Sequence, residues 1–285
     1  MKARFIDVMP QRTAGKITIL PVEVHYSKRT VSNGFRQSLF NKLIKRLQRE
    51  PDTYVVFVGD LIDADRPSLR NRLSYVYAES DRKEAQSEAD DYHRKYLESG
   101  IIKELRPIKH KILGAVDGDH FVFYQNGKTS TQHIMETLGI PDAYLGRRMG
   151  WVVLRIKRVS NASDVTAFKI FVRHGKGSST TIGTDMNALI KQSTGFIADL
   201  YVGGHTHKKW VHSAPFLDVD RNGKIIEKQI AWARAGSLLK GFLEGQTTYA
   251  EESEYSPIHV GYPDVYVCLG SRNSNIAVTE IKGMI

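Results

Sequence analysis

Five apolar runs in this sequence are each followed at once by carboxylate or imidazole side chains. The first run, KITILPV, leads into Glu23 and His25. The other four are VVFVG, ILGAVDG, KIFVR and DLYVGG, which are followed by Asp60, by Asp119 and His120, by His174, and by His205 and His207. In open α/β sheets, ligands bind at the carboxyl ends of the strands. We therefore expect these side chains to meet at such an edge, because five endings of one chemical type are hard to obtain from surface loops.

The surrounding patterns predict an α/β protein. FRQSLFNKLIKRLQR carries apolar residues on one helical face and basic residues on the other, and TYVVFVG and HKILGAV are typical of buried strands. A long charged helix is predicted over 81–104, with an apolar stripe made of Ala85, Ala89, Tyr92 and Tyr96. Beyond residue 208 the sequence turns to β structure, with hairpins predicted at Asn222-Gly223 and in VYVCLGSRNSNIAV.

No linker-like or repetitive stretch divides the 285 residues. We expect one domain over 1–285, with a motif core at about 16–208 and a β-rich part at 209–285. No apolar run approaches the ~20 residues that cross a bilayer, and MKARFIDVMPQRTAGK lacks the apolar region of a signal peptide. The single cysteine, Cys268, forms no internal disulfide. These features predict a cytoplasmic location and no membrane partner.

The residue types at the strand ends are those that bind transition metals. Four histidines and three carboxylates are too many ligands for one ion and fit two: Glu23, His25, Asp60, Asp119, His174, His205 and His207. Imidazole and carboxylate without thiolate favour Mn, with Fe, Zn, Mg or Ni as alternatives, over Ca. If the backbone stays extended at His205 and His207, side chains two residues apart point to the same side, and both rings would face one point.

In order along the chain, these blocks resemble the motifs of the calcineurin-like metallophosphoesterase superfamily. The blocks are Glu23-Val24-His25, Gly59-Asp60-Leu61-Ile62-Asp63, Gly118-Asp119-His120-Phe121, the lone His174, and Gly204-His205-Thr206-His207. They span roughly Lys16 to Lys208 and are most similar to those of compact bacterial and phage members, some of them Mre11/SbcD-like nucleases. The resemblance implies an α/β fold built as a mixed two-sheet β-sandwich flanked by helices, with two metal ions at the strand ends.

The same resemblance implies a role for each site residue. Glu23, His25, Asp60 and His207 would hold one ion, and Asp60, Asp119, His174 and His205 the other. Two such ions activate a water and hold phosphate oxygens for in-line attack. His120 would protonate the leaving oxygen, and Asp63 would orient His120. In three places the chain departs from the family: Glu23 replaces Asp, Asp119 replaces Asn, and Phe121 replaces an acid. The first two departures keep an oxygen donor, which favours a working site over a decayed one.

Charge points to an anionic substrate. The net charge is +10, and no acidic residue occurs between Glu23 and Glu50, a stretch whose basic residues include Arg46. Basic residues expected to contact a phosphate are Lys28 and Arg29 at the mouth of the site and Lys176 in the loop HGKGSSTT, with Arg147 and Arg148 as further candidates. The segment DRPSLRNRLSYVYAES interleaves arginines with tyrosines, a composition that suits single-stranded nucleic acid.

These observations favour a binuclear-metal phosphoesterase that hydrolyses phosphodiesters, with nuclease activity on DNA or RNA as one form. One alternative is an enzyme that acts on a small nucleotide or another phosphorylated metabolite. An alternative of a different class is a catalytically silent metal-binding module that docks nucleic acid or protein. The second block lacks the DRG ending of protein Ser/Thr phosphatases, which argues against a phosphoprotein substrate. The sequence identifies no protein partner.

Overall fold

The computed structural model describes residues 1–10, 16–27, 34–63, 79–158, 161–177, 181–220, 222–245, 251, 256–257, 260–268 and 277–283. The strands in these ranges are β1 (Ala3–Val8), β2 (Lys16–Val22), β3 (Thr53–Phe57), β4 (Ile112–Val116), β5 (Tyr144–Gly146), β6 (Met149–Arg158), β7 (Asn161–Arg173), β8 (Leu200–Gly203), β9 (Lys209–Val219), β10 (Ile225–Ala235), β11 (Pro263–Cys268) and β12 (Ala277–Gly283). The helices are α1 (Gln37–Arg49), α2 (Glu79–Leu97), α3 (Ser130–Thr137) and α4 (Ile182–Ser193). Short helical turns follow α2 at Glu98–Ile102, Lys103–Leu105 and Arg106–Lys111, and another spans Pro141–Ala143.

The strands form two mixed sheets. In the first sheet the order is β1-β6-β7-β8-β10-β9, and in the second sheet it is β12-β11-β2-β3-β4-β5. Strands β2, β3, β4 and β5 run parallel to one another, so their carboxyl ends share one edge of the second sheet. Strands β7 and β8 are parallel in the first sheet. The prediction of a mixed two-sheet sandwich flanked by helices is confirmed.

The chain beyond residue 208 completes both sheets. Strands β9 and β10 form the hairpin predicted at Asn222-Gly223, and Gly223 has the positive φ, 80°, that such a turn requires. Strand β10 also pairs with β8. Strands β11 and β12 form the second predicted hairpin, and β11 pairs with β2. Each sheet therefore contains strands from both sides of residue 208.

Alternate residues of the second sheet face two different cores. In β2, Ile17 and Ile19 lie between the two sheets, while Leu20 and Val22 face the helices. A third apolar cluster packs α4 against the outer face of the first sheet: Phe171, Leu189, Tyr201, Trp210 and Trp232. The four layers, helix on sheet on sheet on helix, hold the strand ends in fixed relative positions.

Helix α1 buries its predicted apolar face, whereas α2 buries only part of it, with Tyr96 packed against the core. Phe40 and Leu47 of α1 are fully buried. In α2, Tyr92 is 74% exposed, so the predicted stripe is wrong there. The helix turns a carboxylate inward instead, because Asp90 is buried and accepts a hydrogen bond from the backbone N–H of Gln125 at 2.8 Å. No helix among the described residues is long and apolar enough to span a membrane.

Candidate metal centre

The candidate ligands lie at the carboxyl ends of strands from both sheets. Glu23 and His25 follow β2, Asp60 follows β3 and Asp119 follows β4, all in the second sheet. His174 follows β7, and the last two histidines, His205 and His207, follow β8 of the first sheet. Packing the sheets face to face brings these edges together. The seven side chains consequently form two groups of converging donor atoms joined by Asp60.

The first cluster consists of Glu23, His25 and His207. The Nε2 atoms of the two histidines are 2.9 Å apart. Glu23 Oε1 lies 3.5 Å from His25 Nε2 and 3.6 Å from His207 Nε2. One oxygen and two ring nitrogens therefore surround a single point, and this mixture of donors is typical of a transition-metal site.

The second cluster consists of Asp119, His174 and His205. Asp119 Oδ2 lies 3.1 Å from His174 Nε2 and 2.9 Å from His205 Nδ1, and the two ring nitrogens are 3.3 Å apart. The other ring nitrogen of His174, Nδ1, lies 3.1 Å from the carbonyl oxygen of Val58 and is placed to donate a hydrogen bond to it. That contact fixes the ring and leaves Nε2 as the donor atom for a metal.

Asp60 lies between the two clusters. Its Oδ1 accepts hydrogen bonds from the backbone N–H groups of Asp119, at 2.6 Å, and His120, at 2.7 Å. Its Oδ2 is 3.4 Å from His174 Nε2 and 3.8 Å from His25 Nε2. One carboxylate oxygen is thus held by the backbone while the other faces both clusters, which is the arrangement that a bridging ligand needs.

Strained backbone is concentrated at these residues. Among the described residues, the non-glycine residues with positive φ are His25 (53°), Asp60 (43°), His205 (76°) and His207 (55°). Such conformations are uncommon outside glycine and are retained at functional sites where the surroundings enforce them. The condition of an extended backbone at His205 and His207 is therefore not met. Both residues are left-handed, and their rings lie in different clusters, as the resemblance implied.

Two glycines of the motifs are required by close approach as well as by φ. Gly59 has φ 115°, and a Cβ there would overlap His174 Nδ1. Gly118 has φ 87°, and a Cβ there would overlap Asp60 Oδ1. Any side chain at either position would therefore displace the side chain of a candidate ligand, His174 or Asp60.

The charges of the first cluster fit a bound cation. Glu23 is 0% exposed, and its Oε1 has no hydrogen-bond partner, although Oε2 accepts from the backbone N–H of His205 at 2.8 Å. Burial raises the pKa of the Glu23 carboxyl, but His207 and His25 outweigh this and hold the pKa well below its usual range. Burial likewise opposes protonation of His25, yet Asp63 and Glu23 raise its pKa to about 10. A buried, ionised oxygen without a hydrogen bond is the donor that a metal ion would satisfy.

A histidine and a carboxylate form a separate pair at the mouth of the site. His120 Nδ1 lies 3.1 Å from Asp63 Oδ1, and the Asp63 hydrogen bond is the main reason that the pKa of His120 is raised. The ring of His120 is 5.2 Å from that of His25, measured between centroids. The pair therefore lies beside the first cluster. Nδ1 of His120 contacts Asp63, and Nε2 is the ring nitrogen that does not take part in this contact.

Two arginines support the site, and sequence reasoning missed the role of both. Arg148 Nη1 is 2.6 Å from Asp119 Oδ1, so the guanidinium offsets the negative charge of this carboxylate. Arg234 of β10 is buried, pairs with Asp185 at 3.0 Å and donates to the Gly204 carbonyl at 2.8 Å. Removing one partner of a buried ion pair typically costs about 3–5 kcal/mol. No motif in the sequence pointed to Arg234, because it lies outside the 16–208 core.

Of the basic residues predicted to contact substrate, two lie outside the described residues, and for a third the described residues show no polar contact with the clusters. Lys28 and Arg29 lie outside the described residues, as does the arginine- and tyrosine-rich part of the segment after the second block. Lys176 is exposed, and among the described residues no hydrogen bond or ion pair joins its ammonium group to either cluster. Arg46 makes a double hydrogen bond to the Asp264 carboxylate, at 2.8 and 2.7 Å, and so acts in the fold.

Neither a protein-family model nor a curated protein sequence matches this chain. Solved structures with similar backbones include a double mutant of Vps29 from Entamoeba histolytica, at TM-score 0.35 and 15% identity over 90% of this chain and 87% of that one. Wild-type Vps29 of the same organism, complexed with zinc, gives 0.36 and 11% over 94% and 97%. A conserved uncharacterised protein of Streptococcus pneumoniae, described as a "predicted phosphoesterase", gives 0.34 and 12% over 90% and 84%. Because the TM-scores are below 0.5, these similarities assign neither a family nor an activity.

Proposed function

We propose that this chain is a binuclear-metal phosphoesterase that hydrolyses phosphodiester bonds. The observation that carries the proposal is the position of Asp60 Oδ2, which faces the donor atoms of both clusters at 3.4 and 3.8 Å. One carboxylate between two sets of imidazole and carboxylate donors is the geometry of a two-ion site. The motif order described above and the histidine–carboxylate pair at the mouth support the same function.

The ligand sets follow from the two clusters. Glu23, His25 and His207 would hold one ion and Asp119, His174 and His205 the other, with Asp60 shared between them. Divalent ions bound there supply Lewis acidity and an activated water. Mn²⁺ is the first candidate, with Fe, Zn, Mg or Ni as alternatives, because the donors are nitrogen and oxygen without thiolate.

Proton transfer to the leaving group falls to His120. Its Nδ1 is held by Asp63 at 3.1 Å, so Nε2 is the atom that can deliver a proton. The contact with Asp63 favours the protonated ring, as a general acid requires before the bond breaks. Asp63 therefore positions His120 and favours its protonated form.

Positive charge favours an anionic substrate, and the absence of a DRG ending in the second block argues against a protein phosphate. The chain carries a net charge of +10, and Arg147 and Arg148 lie between β5 and β6 beside the clusters. The diester could belong to DNA or RNA, or to a small nucleotide. If the substrate is nucleic acid, its affinity should fall steeply with salt, because phosphate contacts release counterions.

The test is hydrolysis of bis-p-nitrophenyl phosphate and p-nitrophenyl phosphate with Mn²⁺, together with labelled single- and double-stranded DNA. Faster turnover of the diester than of the monoester supports the proposal. Asp60→Asn, which removes the shared carboxylate, should abolish this hydrolysis. Asp142→Asn is its matched control, because Asp142 is exposed and belongs to neither cluster. Metal-loaded protein that hydrolyses no diester would contradict the proposal and favour the silent module.

A further inference from the structure

Two phenylalanines and an arginine form a surface beside the metal centre that the ligand geometry does not use. The guanidinium carbon of Arg147 lies 5.3 Å from the ring centroid of Phe121 and 5.8 Å from that of Phe123. Both distances are within the ~6 Å over which a cation interacts with an aromatic face. Phe123 is 45% exposed, so part of its side chain is accessible to a ligand. We name Phe121, Phe123 and Arg147 the aromatic platform.

The aromatic platform is tied to the site on both sides. Phe121 follows His120 directly, and Arg147 precedes Arg148, whose guanidinium contacts Asp119 at 2.6 Å. The Arg147 carbonyl accepts from the backbone N–H of Asp117 at 3.2 Å. The Arg148 carbonyl accepts from the backbone N–H of His174 at 3.0 Å. A group that stacks on the platform is therefore bound next to a phosphate held at the clusters.

The charge of Arg147 is available to a ligand. Within the part of the chain that the structure describes, no carboxylate lies within salt-bridge distance of its guanidinium. The nearby Asp117 carboxylate is already held by Thr129, at 2.7 Å, and by Tyr144, at 2.8 Å. An acid at position 121 would neutralise Arg147, whereas the phenyl ring leaves the positive charge in place and adds an apolar face.

We propose that the aromatic platform stacks a nucleobase, so that the substrate of the site is a nucleotide or nucleic-acid phosphodiester. This inference rests on the proposed phosphodiesterase function and names its substrate class. A flat ring that carries a phosphate matches an aromatic face next to a cation and two metal-ligand clusters. A peptide would gain from the apolar face but not from the positive charge. Stacking of a base on an aromatic side chain is worth about 1–3 kcal/mol.

The test measures binding and not turnover. Protein loaded with Mn²⁺ is titrated calorimetrically with adenosine 5′-monophosphate and with ribose 5-phosphate, which has the same phosphate and sugar but no base. The nucleotide should bind about 5- to 150-fold more tightly, the range that corresponds to the stacking energy. Phe123→Leu, which keeps apolar bulk but removes the aromatic face, should reduce this ratio at least about fivefold and leave the affinity for ribose 5-phosphate unchanged.

Phe5→Leu is the matched control. Phe5 is 62% exposed on β1, and the Arg155 guanidinium lies 5.9 Å from its ring, so the pair has the same chemistry away from the clusters. This variant should keep the wild-type ratio. Equal affinity of the wild type for the two ligands, or a ratio that Phe123→Leu does not change, would overturn the inference. A protein that prefers the nucleotide in this way but hydrolyses no diester would refute the proposed function and leave the aromatic platform standing.

Discussion

The two donor clusters hold similar atoms in different surroundings. In the first cluster, Glu23 is 0% exposed and its ion pairs within the described residues are with histidines. In the second, the Asp119 side chain is 37% exposed and is paired with Arg148. Among the described residues, the buried carboxylate of the first cluster is thus paired with imidazoles alone, while the second cluster has an arginine at its rim. We infer that the first cluster depends more strongly on a metal ion and that the second adjusts the charge seen by the substrate.

Asp60→Asn should have the largest effect, because it alone breaks both clusters. The Asn side-chain oxygen can still accept the hydrogen bonds from the backbone N–H groups of Asp119 and His120. The substitution removes the negative charge that faces His25 and His174. We expect loss of measurable diesterase activity and fewer bound metal ions per chain. Elemental analysis together with the nitrophenyl diester assay measures both, with Asp142→Asn as the control of equal charge. A fully active Asp60→Asn protein would show that the clusters do not share a ligand.

His120→Ala tests whether the mouth pair serves chemistry or metal binding. The His120 ring contacts Asp63 and lies beside the ring of His25, a member of the first cluster. Hydrolysis of esters with poor leaving groups should slow by about 10²–10⁴-fold, the usual contribution of a general acid. Nitrophenyl esters should slow much less, because nitrophenolate leaves without a proton. If the metal content falls together with the rate, His120 is a ligand and not an acid.

A comparison of Glu23→Gln with Asp119→Asn ranks the two clusters directly. Glu23→Gln replaces a buried, charged carboxylate with a neutral amide at a site where Oε1 has no hydrogen-bond partner. Asp119→Asn also removes a charge, but at a more exposed side chain that is paired with Arg148. We expect Glu23→Gln to weaken metal affinity by at least about 100-fold, since changes even beyond the direct ligands cost 10–100-fold. Asp119→Asn should cost less. Competition with a fluorescent chelator gives both values, and the reverse order would refute the ranking.

Acidity links both clusters to metal binding. The pKa of His25 is raised to about 10 and that of His174 to about 9, so both rings are protonated at pH 7 in the absence of metal. A bound ion must displace these protons, and its affinity should rise with pH by up to about tenfold per unit for each proton. Without metal the sign is opposite: the raised pKa values stabilise the fold below about 6.5, and that contribution is lost as pH rises through 9 and 10.

Thermal unfolding with and without Mn²⁺ between pH 6.5 and 8.5 measures this linkage. The increase in Tm on adding metal should grow with pH across this range. His133→Gln is a useful control, because burial lowers the pKa of His133 and none of the ligand groups found among the described residues includes it. A metal-induced shift in Tm that stays constant or shrinks as pH rises would mean that metal binding does not displace protons from His25 and His174.

The smallest predicted effect concerns the charge at the rim. Asp119→Asn frees Arg148, so KM for an anionic diester should fall roughly two- to fivefold, in line with the about 0.2–1 kcal/mol of an exposed ion pair. Arg148→Gln should raise KM, and the double variant should lie between the two. If Asp119→Asn leaves KM unchanged both in the wild-type background and in the Arg148→Gln background, the ion pair does not affect substrate binding.

Sequence patterns located most of the elements and the candidate ligands. The apolar runs before Asp60 and Asp119 are buried parallel strands, and the hairpin at Gly223 forms where predicted. The apolar stripe of α2 could not be predicted, because the inward face is marked by the buried Asp90, and a carboxylate is ordinarily placed on the solvent side. The left-handed backbone of His205 and His207 was equally invisible, since alternation alone describes extended chain.

The sequence by itself determined which residue types end the strands, because apolar runs and the polar residues that follow them are local features. It determined the glycines at 59 and 118, whose motifs are visible along the chain. Only the tertiary structure decided the distances between the donors, with His207 beside Glu23 and His205 beside Asp119, the division that the motif resemblance implied. It also decided that Arg148 meets Asp119, that Arg234 supports Gly204, and that Arg147 lies over two phenylalanines. Those contacts join residues far apart in sequence, and they exist only because two sheets pack with their strand ends together.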